Sequence, residues 1–127
     1  MHTFLNRLAE GVQKHGPLCV GLDPHLSRMP PAVRERCTDL KSPQGRQRAA
    51  DAVHEWSLTA LNAVREHVAI IKPQIALYEQ IGAAGVAALE DIVRRAQAGG
   101  TLVLMDAKRG DIGSTAEAYA RALLDDN

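Results

Sequence analysis

Apolar residues along this chain switch repeatedly between helical and strand-like spacing, and the switches divide it into elements. After Thr3, the positions Phe4, Leu5, Leu8 and Val12 recur at helical spacing and Gly16-Pro17 supplies a stop. A first helix of about three turns, covering the end of a core, is predicted there. Leu18-Cys19-Val20-Gly21-Leu22 is a short apolar run ending in Asp23-Pro24, the pattern of a buried strand that delivers an acid at its C-terminal end. Between Pro24 and Arg46 the prolines 24, 30, 31 and 43 and Gly45 predict a long surface excursion, with one short helix near Ala32–Cys37. From Gln47 to His67, Ala49, Ala52, Val53, Trp56, Ala60, Leu61 and Val64 fall on one helical face opposite Arg48, Asp51, Glu55, Arg65 and Glu66. Trp56 belongs to that apolar stripe and reads as a core anchor.

The pattern then repeats. Val68-Ala69-Ile70-Ile71 runs into Lys72-Pro73-Gln74, a second strand with a charge at its end and a proline that ends strand pairing. Tyr78, Ile81, Val86, Leu89, Ile92 and Val93 mark a third helical region, broken near Gly82 and Gly85 into two helices and closed by Gly99-Gly100. Thr101–Met105 is a third strand, ended by Asp106. Ser114-Thr115-Ala116-Glu117 has capping-box spacing and opens a helix through Tyr119, Leu123 and Leu124. Strand and covering helix alternate three times, which signals a parallel α/β sheet with right-handed crossovers.

The three strands all place a charged residue at the same end, where ligands and catalytic groups collect in open sheets and in (β/α)8 barrels alike. No Gly-x-Gly-x-x-Gly and no Gly-x-x-x-x-Gly-Lys-[Ser/Thr] follows a strand, so the phosphate loops usual in open sheets are missing and a barrel is favoured. The chain has 127 residues against about 250 for a typical barrel, so residues 1–127 read as the N-terminal part of a single (β/α)8 domain, an N-terminal helix and about three βα units. If Asn127 ends the chain, the barrel cannot close, and the isolated chain is expected to be incomplete and inactive.

Composition narrows the function classes. Lys plus Arg equals Asp plus Glu at 15 each, and no run of one sign stands out, which argues against nucleic-acid and membrane footprints. Cys19 and Cys37 lie in no ligand pattern and read as buried or idle thiols, so neither a metal site nor a disulfide framework is expected. Without an apolar leader in Met1–Gly16 or a bilayer-length apolar stretch, the default setting is reducing and cytoplasmic.

The chemistry concentrates in Asp106-Ala107-Lys108-Arg109-Gly110-Asp111-Ile112-Gly113. Side chains two apart on a strand share a face, so Asp106 and Lys108 present opposite charges to one side, and Asp111 follows from the loop. A carboxylate flanked by ammonium groups stays ionised, and an ammonium between carboxylates stays protonated. His25 and Arg109 lie near the expected site mouth without an assigned role.

Asp106–Thr115, together with Gly21-Leu22-Asp23-Pro24 and Ile71-Lys72-Pro73-Gln74, resembles the N-terminal portion of the orotidine 5'-phosphate decarboxylase family, in the subgroup whose motif reads Asp-Ala-Lys-Arg-Gly-Asp-Ile. The resemblance implies a (β/α)8 barrel, a homodimer, and decarboxylation of the nucleotide orotidine 5'-phosphate to UMP and carbon dioxide with no metal or organic cofactor. It implies that Lys108 gives the proton to the carbon that loses its carboxylate, with Asp106 beside the departing group. Lys72 and Asp111 would complete an alternating Lys-Asp-Lys-Asp network. Asp23 and Lys72 would hold ribose hydroxyls, and Asp111, Ile112 and Thr115 would reach into the partner subunit's site. The phosphate grip of the family follows later barrel strands. Two other readings stand beside this one: a magnesium-dependent sugar-phosphate decarboxylase or aldolase of the same superfamily, and a non-catalytic truncated interaction fragment.

Overall fold

Short apolar runs separated by helices of four to six turns leave each strand only one way to pair with its predecessor, and the computed structural model has the outcome. It describes residues 3–124; residues 1, 2 and 125–127, including the expected chain end at Asn127, lie outside the described residues. Helix α1 (Phe4–His15) is capped by Thr3, whose hydroxyl accepts from the Asn6 amide at 3.3 Å. Strand β1 (Cys19–Leu22), helix α2 (Pro31–Arg34), helix α3 (Pro43–Val64), strand β2 (Ile70–Pro73), helices α4 (Ala76–Glu79) and α5 (Ala83–Ala98), strand β3 (Leu102–Val103) and helix α6 (Gly113–Leu124) follow.

The sheet is parallel in the order β1-β2-β3, with Cys19 opposite Ile70 and Ile70 opposite Leu102. Strands that neighbour one another in sequence order are the arrangement of a (β/α)8 barrel, whereas a doubly wound sheet reverses its order at a switch point. The period of two then sorts the side chains. Leu22 and Ile71 face the helices and are buried, with Val20, Val103 and Met105 packed beside them on a core that includes Ala49, Val53 and Leu61 of α3 and Leu89 and Ile92 of α5. Cys19, Gly21 and Asp23, then Ile70, Lys72 and Gln74, then Leu102, Leu104 and Asp106, share the opposite face, which corresponds to a barrel interior and here lies partly open, with Leu104 48% exposed.

Several expectations are corrected. The excursion after Asp23 is built into the core: two 3-10 turns, Leu26–Arg28 and Glu35–Cys37, flank α2, and Met29 and Cys37 are buried. Helix α3 starts at Pro43, not Gln47, because Ser42 caps it, accepting from the Gly45 amide at 3.0 Å, and a proline at the first helical position loses no hydrogen bond. Pro73 does not end the pairing: it has no N–H to give, but its carbonyl accepts from the Asp106 amide at 3.0 Å, and the ladder runs on to a Gln74–Asp106 bridge. Strand β3 is shorter than Thr101–Met105, as an edge strand with one partner. Cys19, expected in a buried strand, is exposed, and the other free thiol, Cys37, is buried. The Ser114 capping box does not form: α6 begins at Gly113, where φ is +57°, and Glu117 pairs with Arg121 instead. Helix α1 meets the N-terminal ends of the strands through Gly11, packed on Ala69, and through His15, bonded to the Glu66 carbonyl at 2.9 Å, but it buries no residue of its own. The division of the third helical region into α4 and α5 is as expected, with Gly82 at φ +86° between them. Among the described residues, no helix is long and apolar enough to cross a membrane.

Candidate active site

The site stands at the C-terminal ends of the three strands, and register alone brings its members together. Gly21 lies opposite Lys72, and Gln74 opposite Asp106, so Asp23, Lys72, Gln74 and Asp106 lie on one face. The Lys72 ammonium sits between two carboxylates, 3.8 Å from Asp23 Oδ2 and 3.6 Å from Asp106 Oδ2. Lys108 Nζ donates to Asp106 Oδ1 at 2.7 Å. Asp106 is therefore shared by two cations, and the hydrogen bond from Lys108, helped by the nearby Lys72 charge, holds its carboxyl below the usual aspartate range. The three residues nearest the sheet, Asp23, Lys72 and Asp106, are half-buried, while the Lys108 side chain is 81% exposed.

Gln74 is the residue that sequence reasoning passed over. Its backbone amide donates to Asp23 Oδ1 at 3.1 Å and its side-chain Nε2 donates to Asp106 Oδ2 at 2.8 Å, so one residue fixes both acids. The Ile75 amide donates to the Asp106 carbonyl at 3.1 Å, completing a frame in which the strand ladder itself orients the carboxylate. Beneath Asp23, the buried Tyr78 hydroxyl donates to the Leu22 carbonyl and contacts Ser57 Oγ, each at 3.2 Å, and burial pushes its pKa up to about 12.

Asp23, Lys72, Asp106 and Lys108 are thus brought together. Asp111, Ile112 and Thr115 are not: they lie exposed at the entrance to α6, with the Asp111 carboxylate accepting from the Ile112 amide at 2.8 Å. Arg109 turns away from the acids and donates to the Glu79 carboxylate of α4. Among the described residues, no group of three or more His, Cys, Asp or Glu side chains converges as a metal cage.

A carboxylate held between two ammonium groups at the mouth of a parallel sheet is a device for presenting a charged proton donor at a fixed position. Residues 16–126 match the family model for orotidine 5'-phosphate decarboxylase / HUMPS family. The chain belongs to that family. It is 43% identical over 124 residues to a protein of Streptomyces coelicolor named orotidine 5'-phosphate decarboxylase, covering 98% of this chain and 40% of that protein. A protein of the same name from Salinispora tropica is 45% identical over 125 residues, covering 98% of this chain and 41% of its own length. A crystal structure of a Streptomyces avermitilis protein assigned provisionally to the same activity superposes with a TM-score of 0.76 at 42% identity, over 98% of this chain and 39% of that one. The chain therefore spans about 40% of the length of the curated decarboxylase relatives it matches. Relatives that share this name leave the magnesium-dependent sugar-phosphate reading unfavoured.

Proposed function

We propose that this chain supplies one side of an orotidine 5'-phosphate decarboxylase active site, within a single (β/α)8 domain of a cytoplasmic, homodimeric enzyme that uses no cofactor. The observation that carries the reading is Asp106 held between Lys108 at 2.7 Å and Lys72 at 3.6 Å, in a chain of this family. In the reaction, the bond between the pyrimidine carbon and its carboxylate breaks, carbon dioxide leaves, and the electron pair stays on the ring carbon. That pair lies in the ring plane, outside the π system, so the stabilisation it needs is a fixed positive charge beside the carbon. Lys108 is that charge, and it transfers its proton to form the new C–H bond of UMP. Asp106 aims Lys108, and Lys72 helps to keep Asp106 ionised. Asp23 and Lys72 take ribose hydroxyls. Asp111, Ile112 and Thr115, which face solvent around α6, serve the partner subunit's site, Asp111 closing the Lys-Asp-Lys-Asp network there.

The test is turnover of orotidine 5'-phosphate by the whole protein carrying this chain. Lys108→Ala is expected to lower kcat by at least ~10²–10⁴-fold, the span of a positioned general acid, while nucleotide binding persists in calorimetry. Near-normal turnover in that variant would refute the assignment.

A further inference from the structure

Lys108 follows a strand ladder that ends at Asp106, and from Ala107 to Ile112 the backbone has no regular structure. Beyond the buried Ala107, an added Cβ at Gly110 would meet nothing within 4 Å, so the segment lies in open space. A proton donor on such a segment needs a second anchor, because proton transfer depends on ångström-scale placement. Arg109 has the form of one. Its side chain, only 28% exposed beside the 81% of Lys108, reaches back over the sheet edge to Glu79 Oε1. Its other terminal nitrogen, Nη1, points at the carbonyls of Ala107 and Lys108, each at 3.4 Å. One planar guanidinium thus spans the loop backbone on both sides of Lys108 and the carboxylate on α4, a geometry that a lysine ammonium cannot reproduce.

We infer that the Arg109–Glu79 pair is a clamp that positions Lys108, with Arg109 and Glu79 acting through the loop backbone and not on the substrate. The inference rests on the reading of Lys108 as the proton donor. Glu79 sits at the C-terminal end of α4, next to the fully buried Tyr78, so the clamp ties the donor loop to a short helix anchored in the core. The adjacent cations part ways: Lys108 bonds to Asp106, and Arg109 to Glu79. A partly exposed ion pair adds little to global stability, so the clamp's effect is local order and not fold.

Two measurements test it. In this chain, amide hydrogen exchange over residues 107–112 is expected to accelerate in Glu79→Gln and in Arg109→Gln, with the protection of β2 and α5 unchanged. In the whole protein, both variants are expected to lower kcat by a similar factor, roughly 10- to 100-fold, with KM little changed. Arg109→Lys should fall between them and wild type, and the exchanged pair Glu79→Arg/Arg109→Glu should recover part of the loss. Wild-type exchange and kcat in Glu79→Gln would overturn the clamp. So would a rise in KM confined to the Arg109 variants, which would make Arg109 a substrate contact. Full turnover by Lys108→Ala in the same assay would instead overturn the proton-donor reading, and the positioning claim with it, even where exchange shows the loop anchored.

Discussion

Asp106 receives Lys108 on one carboxylate oxygen at 2.7 Å and Gln74 on the other at 2.8 Å, with Lys72 close behind at 3.6 Å. The Asp106–Lys108 pairing is legible in the sequence, because two residues apart on a strand means one face. The Gln74 contact is not, since it depends on which residue of β2 stands opposite Asp106, and register across strands separated by 32 positions leaves no local trace. Glu79 was hidden too, because its bond joins a helix to a loop 30 positions away. Gln74→Leu should cost roughly tenfold in kcat by releasing one side of the acid, with little change in melting temperature. Gln74→Glu carries a signed prediction. A second carboxylate beside Asp106 raises its pKa, so protonation sets in at higher pH and the acid limb of the kcat profile moves upward. A profile that does not move would show that Gln74 does not govern the charge state of Asp106.

Among elements, the long helices were legible, but the start of α3 was not. The apolar stripe of α3 identified its buried face, but the prolines of residues 24–46 read as loop, although Ser42-Pro43 is itself a helix start. Met29 and Cys37 entered the core for a reason no periodicity shows: the excursion folds back under α3. The α3–α5 contact is fastened outside the core by Asp91, which accepts from His54 of α3 at 2.7 Å, from Arg95 at 2.5 Å and from Arg94. The bond from Arg95, then those from His54 and Arg94, hold the Asp91 carboxyl well below its ordinary range. A carboxyl depressed in the folded state adds stability above its unfolded value, near pH 4, and that stability is lost as pH falls below it. Asp91→Asn should therefore lower stability by about 1–2 kcal/mol at neutral pH and flatten the acid limb of a melting-temperature profile. Equal losses for wild type and variant between about pH 4 and pH 2 would contradict this assignment.

For the whole molecule, the alternation of strands and helices and the missing phosphate loops point to a barrel, and the sequential strand order agrees. What the sequence could not reveal was how unevenly the two sheet faces are covered. The helix side is closed by α3 and α5, while the interior side opens on a groove between α1, β3 and α6, lined by Phe4, Leu104, Tyr119 and Leu123. In the 127-residue chain, this surface should bind an apolar dye such as ANS, and Leu104→Asn should reduce the fluorescence without unfolding the sheet. No dye binding by the chain would indicate that the groove is closed in solution.

The bridge between Gln74 and Asp106 is the last rung of the ladder, and its position divides the two charged partners into unequal kinds. Asp106 is stitched through its own N–H to Pro73 and through its C=O to Ile75, whereas Lys108 stands two residues past the final stitch. The carboxylate thus belongs to the wall of the sheet, and the ammonium to the loop that leaves it. The counter-charge of Asp106 therefore keeps its place whatever the loop does, and the placement of Lys108 falls to the loop's own anchor, the Arg109–Glu79 pair.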